Sequence, residues 1–319
     1  MKFVVCDGEN KMKIGTFFHH IRMAQAERGE SLDKTLEWLR GLGYEAAELD
    51  ADDREGAELL SAHGIAVSSI YRQYVWRDGI DEDRMKEHID LAHKLGTGKI
   101  MAIPGLFSED AWKQLNGKPL GAKGCEILVS DVSVGSASDS ISAESVTGAY
   151  YVKSIGGALG EELTNMLEGM TRLSELAKAS GLILTIEDYD DAMSPIATIA
   201  GMKIFLDAIP DLKVAFDTGN FAFSGDDVLA AGKEFFERTA HVHMKDRLWS
   251  RTGSGDPKEC VDGTLLWPCA VCDGDIPMDE ILRGLKGVGY DGYLMAEFFG
   301  AASYAELIEK SAKNLKVRV

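Results

Sequence analysis

The chain has 319 residues, a length that suits a single α/β barrel and exceeds that of an average domain. With 45% hydrophobic residues and only 7 prolines it can bury a large core, which excludes a disordered polymer. Its 34 basic residues against 52 acidic ones leave a net charge of −18, which repels nucleic-acid backbones and anionic lipid and argues against both as partners.

No apolar run approaches the about 20 residues of a membrane span. Met1–Asn10 lacks the charged and then apolar order of a secretion signal. The 5 cysteines are an odd number spread over a long chain, against a disulfide framework. These features predict a soluble cytoplasmic protein with reduced thiols.

Short β-rich runs alternate with amphipathic stretches. Lys13–Phe18 reads as a strand, Ser31–Leu42 as a helix capped by Ser31, Glu45–Leu49 as a strand, Asp53–His63 as a helix and Ile65–Tyr71 as a strand. Asp81–Leu95 is helical with Gly96 as its stop, and Lys99–Ile103 is a strand closed by Pro104. Gly160–Ala179 places Leu163, Met166, Leu167, Met170, Leu173 and Leu176 at helical spacing. Leu182–Glu187, Leu212–Asp217, Ala240–His243 and Tyr293–Glu297 read as strands. Pro195–Ala208, Asp226–Arg238, Met278–Gly287 and Ala301–Asn314 read as the helices that follow them. Eight such units over roughly 250 residues or more predict a (β/α)₈ TIM barrel, one domain over 1–319, whose site lies at the carboxyl ends of the strands. A doubly wound sheet would need a glycine-rich turn after the first strand, where Thr16-Phe17-Phe18-His19-His20 stands instead.

Two segments exceed ordinary loop lengths, Gly105–Gly157 after strand 4 and Arg247–Asp275 after strand 7, and both are expected over the barrel mouth. The first holds a helix-like piece, Glu109–Leu115, and a Ser/Gly/Val-rich stretch; the second holds Trp249, Trp267, Cys260, Cys269 and Cys272. One Cys-x-x-Cys without a second pair is a poor zinc site.

The last four strands each end in a side chain able to hold a metal: Glu187, Asp217, His243 and Glu297, at intervals of 30, 26 and 54 residues. Strand alternation turns them inward together with Thr185, Ala215 and Met295. Three carboxylates at one mouth repel one another unless a cation neutralises them. Three carboxylates and one imidazole suit one divalent metal, with Mn²⁺ favoured and Mg²⁺, Co²⁺ or Zn²⁺ as alternatives.

At Ile-Glu187-Asp, Phe-Asp217-Thr-Gly-Asn, His241-Val-His243-Met-Lys245-Asp246 and Ala-Glu297-Phe the sequence resembles the sugar phosphate isomerase/epimerase superfamily, the xylose-isomerase-like TIM barrels. The resemblance follows the element order of the whole chain and is sharpest from Leu182 to Phe298. It implies that Glu187, Asp217, His243 and Glu297 bind the metal, and that Glu187 and Glu297 flank a sugar and exchange a proton beside its carbonyl. Asn220 and Met193 stand where ketose 3-epimerases carry a histidine and a glutamate, so the metal set transfers and those substrate contacts do not. The same barrel serves the catalytic subunits of C-glycoside deglycosidases, which act on a 3-oxo sugar with a small partner subunit. It also serves endonuclease IV, whose extra histidines are absent here, Asn220 and Asp275 occupying their places. The expected partner is a small sugar or oxo-sugar derivative, with a homo-oligomer or a small subunit as the protein partner. A sugar-binding barrel without catalysis is the reading from another class.

His19, His20, Tyr71, Arg72, Asn220, Lys245, Arg247 and Trp249 are the candidate substrate contacts, since they follow strand ends or sit in the long loops. His241 and Asp246 are candidates for supporting the ligands from behind. His63, His88 and His93 fall on helices and read as surface residues.

Overall fold

Eight parallel strands, β1 (Lys13–Phe17), β2 (Tyr44–Asp50), β3 (Ala66–Gln73), β4 (Lys99–Ile103), β5 (Ile183–Glu187), β6 (Lys213–Asp217), β7 (Thr239–Lys245) and β8 (Tyr293–Glu297), follow one another around a closed barrel. Closure is made where β1 pairs with β8, Lys13 opposite Tyr293 and Thr16 opposite Ala296. The computed structural model describes residues 12–125, 133–135, 151–153, 155–249 and 252–319. Met1–Asn10 and most of the Ser/Gly/Val-rich stretch before Gly157 lie outside the described residues.

The strands turn apolar side chains such as Ile14, Leu49, Ile70, Ile100, Val214 and Leu294 to the helices, and the helices bury a matching stripe. Helix Gly157–Ala179 buries Leu163, Met166, Leu167, Met170 and Leu173, the spacing read from the sequence. Ser31 caps helix Leu32–Gly41 by accepting from the Lys34 N–H, and Gly96 ends helix Glu82–Leu95 in the left-handed region at φ 70°. After β4, helix Glu109–Gln114 is followed by a short antiparallel pair, Ser133–Gly135 with Tyr151–Lys153. After β7 the chain forms an antiparallel three-stranded sheet, Arg247–Leu248, Leu265–Pro268 and Lys258–Glu259.

Several expectations are corrected. Asp53–His63 is helical only over Leu59–Ala62, because the run before it turns through Gly56 at φ 87°. The helix expected from Pro195 starts at Ile199, where the Thr198 hydroxyl accepts from the Gly201 N–H and makes the cap that Pro195 cannot. The last helix is Tyr304–Lys316, capped by Ser303. Helix Phe18–Arg28 was not anticipated, since its buried face sets His20 among Phe18, Ile21 and Ala24 and so blurs the apolar stripe. His88, expected at the surface, is fully buried between the Tyr74 hydroxyl and the Ile70 carbonyl.

Two register shifts bear on the mouth. One falls between Ala47 and Glu48 in the pairing of β2 with β3, the other between Val214 and Ala215 in the pairing of β6 with β7. Such irregularities re-aim the side chains that follow them. Downstream of the second, Asp217 lies opposite His243, and on the other edge of β7 Glu297 lies opposite Lys245.

Helix Gly157–Ala179 presents Gly169 to the buried indole of Trp76, which is itself stacked on Tyr74 at 4.3 Å. A methyl group there would overlap the rigid ring. Gly169→Ala gains about 1 kcal/mol of helix propensity and incurs about 1–3 kcal/mol of overpacking. The expected outcome is a lower urea midpoint at unchanged slope, and a raised midpoint would contradict this packing.

A candidate metal centre at the barrel mouth

Glu187 ends β5, Asp217 ends β6, His243 lies two residues before the end of β7 and Glu297 ends β8. Alternation turns all four into the lumen, where they are buried and offer ligand atoms within 4.8 Å of one another. His243 Nδ1 is 2.6 Å from Glu187 Oε1 and 3.4 Å from Glu297 Oε2. Asp217 Oδ1 accepts from the backbone N–H groups of Gly219 and Asn220, both at 2.7 Å. Asp217 Oδ2 and Glu297 Oε2 are buried and make no hydrogen bond among the described residues, only ion-pair contacts at 3.4 Å with Lys245 Nζ and His243 Nδ1 respectively. An unsatisfied buried acceptor costs about 1–3 kcal/mol, and these two face a donor set of carboxylate oxygens and one imidazole. The residues therefore fit a hard or borderline divalent cation.

Charge inside the barrel is compensated by β7. Lys245 Nζ lies 2.5 Å from Glu297 Oε1, 2.6 Å from Asn220 Oδ1 and 3.4 Å from Asp217 Oδ2. Burial works against the Lys245 charge, but Asp217 and Glu297 outweigh it and raise its pKa. Burial raises the pKa of Glu187, with His243 pulling the other way. Asp217 is pushed up to about 7, by burial above all, against the pull of Lys245. For His243 burial favours the neutral ring, yet Glu48 and Glu187 outweigh it and hold the imidazole well above its usual value.

Below this layer, Glu48 of β2 receives both histidines of β7, His241 Nε2 at 2.7 Å and His243 Nε2 at 2.8 Å. Burial acts to raise the Glu48 pKa, and His241 and His243 overcome it, holding the carboxylate well below the usual range. Asp246 accepts from the backbone N–H groups of Arg247, Gly274 and Ile276, behind the mouth.

A cavity of about 500 Å³ opens above the cluster. Its polar wall holds Asp50, Asp52, Glu187, Asp190 and Glu297 against only Lys245 and Arg247, with Tyr71, Gln73, Tyr189 and Asn220; Phe17, Met101, Ile103 and Phe299 make the apolar wall. Of the candidate substrate contacts, Tyr71, Asn220, Lys245 and Arg247 line this cavity. The others do not. His19 stacks on Phe299, and His20 is fully buried, its Nε2 accepting from the Phe298 N–H. Arg72 is buried outside the lining, held by Asp52 of the cavity wall and by the Arg84 carbonyl. Trp249 lines a separate cavity of about 310 Å³ with Ala222, Leu266 and Pro277. Sequence reasoning passed over Glu48, Asp50, Gln73, Tyr189 and Asp190. The signal for Asp50 was available, since it ends β2 as Glu187 ends β5.

The chain belongs to the xylose isomerase-like TIM barrel family, whose model matches residues 36–317. Inosose dehydratase of Clostridium perfringens is 28% identical over 165 residues, which are 49% of this chain and 54% of that protein. The match thus spans about half the length of this curated relative. The solved structure of the IolI protein with a binding zinc atom superposes with a TM-score of 0.62 at 15% identity, over 97% of this chain and 98% of that one. Apo 3-keto-D-glucoside 4-epimerase, YcjR, from E. coli gives 0.59 at 14% identity, over 96% and 100%. At these identities both likenesses show the fold alone. Among the described residues no helix is long and apolar enough to cross a membrane.

A cation needs its carboxylates ionised and the ligating nitrogen of its imidazole free of a proton, so loading must displace the proton that burial favours on Asp217 and the one that Glu48 and Glu187 favour on His243. Both pKa values are raised, so affinity falls as the pH is lowered through about 7, the Asp217 value. Calorimetric titration with Mn²⁺ in buffers of different ionisation enthalpy is expected to show net proton release at pH 6, shrinking by pH 8. Affinity independent of pH across that range would contradict the protonation assigned to the pair.

Proposed function

We propose, from its membership of the xylose isomerase-like TIM barrel family and the cluster at its mouth, that this chain is a divalent-metal-dependent enzyme of the sugar isomerase/epimerase type. It removes a proton next to a sugar carbonyl and returns one by way of an enediolate. The observation that carries this reading is the pair Glu187 and Glu297. Both line the cavity, and they approach one imidazole nitrogen at 2.6 and 3.4 Å.

Glu187, Asp217, His243 and Glu297 would hold the metal, with Mn²⁺ favoured over Mg²⁺, Co²⁺ or Zn²⁺. When bound, a divalent ion supplies several kcal/mol of stabilisation to the negative charge that develops on the substrate oxygens. The rest is the work of the chain's own groups. Burial makes the Glu187 carboxylate a stronger base than an exposed one, suited to taking the carbon-bound proton. Glu297, one oxygen of which is held by Lys245, is placed to return a proton. Tyr71, Gln73, Asn220 and Arg247 offer hydrogen bonds to hydroxyl groups, and Phe17 and Phe299 give a ring an apolar face while keeping water out.

The wall charge favours an unphosphorylated sugar or cyclic oxo-polyol. Of the wall's five carboxylates Asp52 is paired with Arg72 and Arg84, and the two cations of the lining are committed to carboxylates, Lys245 to Glu297 and Arg247 to Asp190, so neither is left over for a phosphate ester. A second reading, elimination, is favoured by the half-length likeness to an inosose dehydratase. There the same deprotonated carbon expels a neighbouring hydroxyl as water instead of being reprotonated. Expulsion of a carbon-linked aglycone from a 3-oxo sugar, with a small partner subunit, would use the same first step.

Incubation with Mn²⁺ and a panel of ketoses, inososes and 3-oxo-glycosides in D₂O is expected to place deuterium beside the carbonyl. Glu187→Gln and Glu297→Gln should each lower the exchange rate by about 10²–10⁴-fold. Product that has lost water decides for elimination, and tight sugar binding without exchange across the panel would leave only a binding barrel. Phosphorylated ketoses are expected to react at least about tenfold less efficiently than the free sugars, about 1.4 kcal/mol in transition-state binding. The reverse preference would overturn the substrate class and leave the proton transfer standing.

A further inference from the structure

Beneath the cluster lies a buried acid that neither proton transfer nor substrate binding uses. Glu48 is outside the cavity lining, and its Oε2 is within hydrogen-bonding distance of Nε2 on both His241 and His243. An ionised carboxylate oxygen only accepts, so each Nε2 must carry the hydrogen. The two rings stand at 84° to each other, which lets one oxygen receive both. On the far side of the His243 ring, Nδ1 faces Glu187 and Glu297, and the edge contact with Phe17 at 4.9 Å holds the ring from the side. An imidazole binds an ion through a lone pair, and the hydrogen bond made by its other nitrogen decides which nitrogen keeps that pair.

We infer that Glu48 is a positioning residue: by accepting the Nε2 hydrogens of His241 and His243 it fixes the His243 ring so that Nδ1 is the nitrogen presented to Glu187, Asp217 and Glu297. The inference rests on the metal-centre reading and adds a residue to it from the opposite side of the barrel. Glu48, His241 and His243 also lie close enough to form a metal group of their own. Ligation there would require the Nε2 hydrogens to leave, and Glu48 is not among the residues that line the cavity. One carboxylate oxygen, Glu48 Oε2, accepts from the Nε2 of both rings without an ion, while Glu48 Oε1 and His241 Nδ1 make no hydrogen bond among the described residues.

The test combines long-range proton–nitrogen spectra of the ¹⁵N-histidine-labelled full chain, metal-free and Zn²⁺-loaded, with chelator competition for Mn²⁺ and Zn²⁺. In the wild-type protein His243 is expected to keep its Nε2 hydrogen and to ligate through Nδ1, with one equivalent of metal per chain. Glu48→Gln and Glu48→Asp are each expected to weaken metal binding about 10–100-fold. The aspartate keeps the charge but withdraws the oxygen. Ligation through Nε2, two equivalents with Glu48 among the ligands, or wild-type affinity in the glutamine variant overturns the inference. Affinity restored by the aspartate assigns the effect to charge and overturns it too. A wild-type chain that binds no divalent metal overturns the metal-centre reading itself. The wild-type spectra need no variant to fold, so they decide the matter on their own.

Discussion

Buried charge has to be answered from within the barrel, and that requirement organises this molecule. Glu48, Glu187, Asp217 and Glu297 are all withdrawn from water. An unpaired ion in such a place costs several kcal/mol, far more than a surface pair such as Lys178 with Asp211 contributes. The answer comes from one strand. β7 carries His241, His243 and Lys245 at successive inward positions, so each of these four acids finds a counter-charge on the same pleat. Interior electrostatics and candidate chemistry thus share the same residues.

How much of this was legible depended on which face of an element a residue occupied. Glu187, Asp217 and Glu297 stood out because parallel strands buried on both sides read as apolar runs, and a terminal carboxylate interrupts them visibly. His243 was marked by its neighbours, His241 and Lys245, at the same spacing. Glu48 was not legible. β2 reads Tyr-Glu-Ala-Ala-Glu-Leu-Asp, with acids at Glu45, Glu48 and Asp50, and no single parity turns all three the same way. The register shift beside Glu48 belongs to the pairing of β2 with β3, which a one-dimensional reading does not contain.

The histidines teach the same point. His20 and His88 each spend a ring nitrogen on a backbone group, the Phe298 N–H and the Ile70 carbonyl. They serve the packing of helices against strands rather than a ligand. A histidine after a strand end and a histidine inside a helix look alike in sequence whether they face a cavity or a core. Arg72 shows the complement: alternation placed its neighbour Tyr71 in the cavity and left the guanidinium buried outside the lining, where it neutralises Asp52 of the cavity wall.

The carboxylate of Asp246 ties the chain where it leaves β7 to the point where it returns, by accepting from Arg247, Gly274 and Ile276. Gly274 is needed at that knot, because a side chain there would overlap Asp246 itself and the Arg247 carbonyl. The excursion between these points is therefore cinched at its neck, and its length is nearly decoupled from the strand that bears the ligands. Closing a longer or shorter excursion changes the entropy only logarithmically. The architecture separates an exchangeable excursion from the strand that anchors it: the segment that walls the smaller cavity can change its length and side chains while the residues at the end of β7 keep their places.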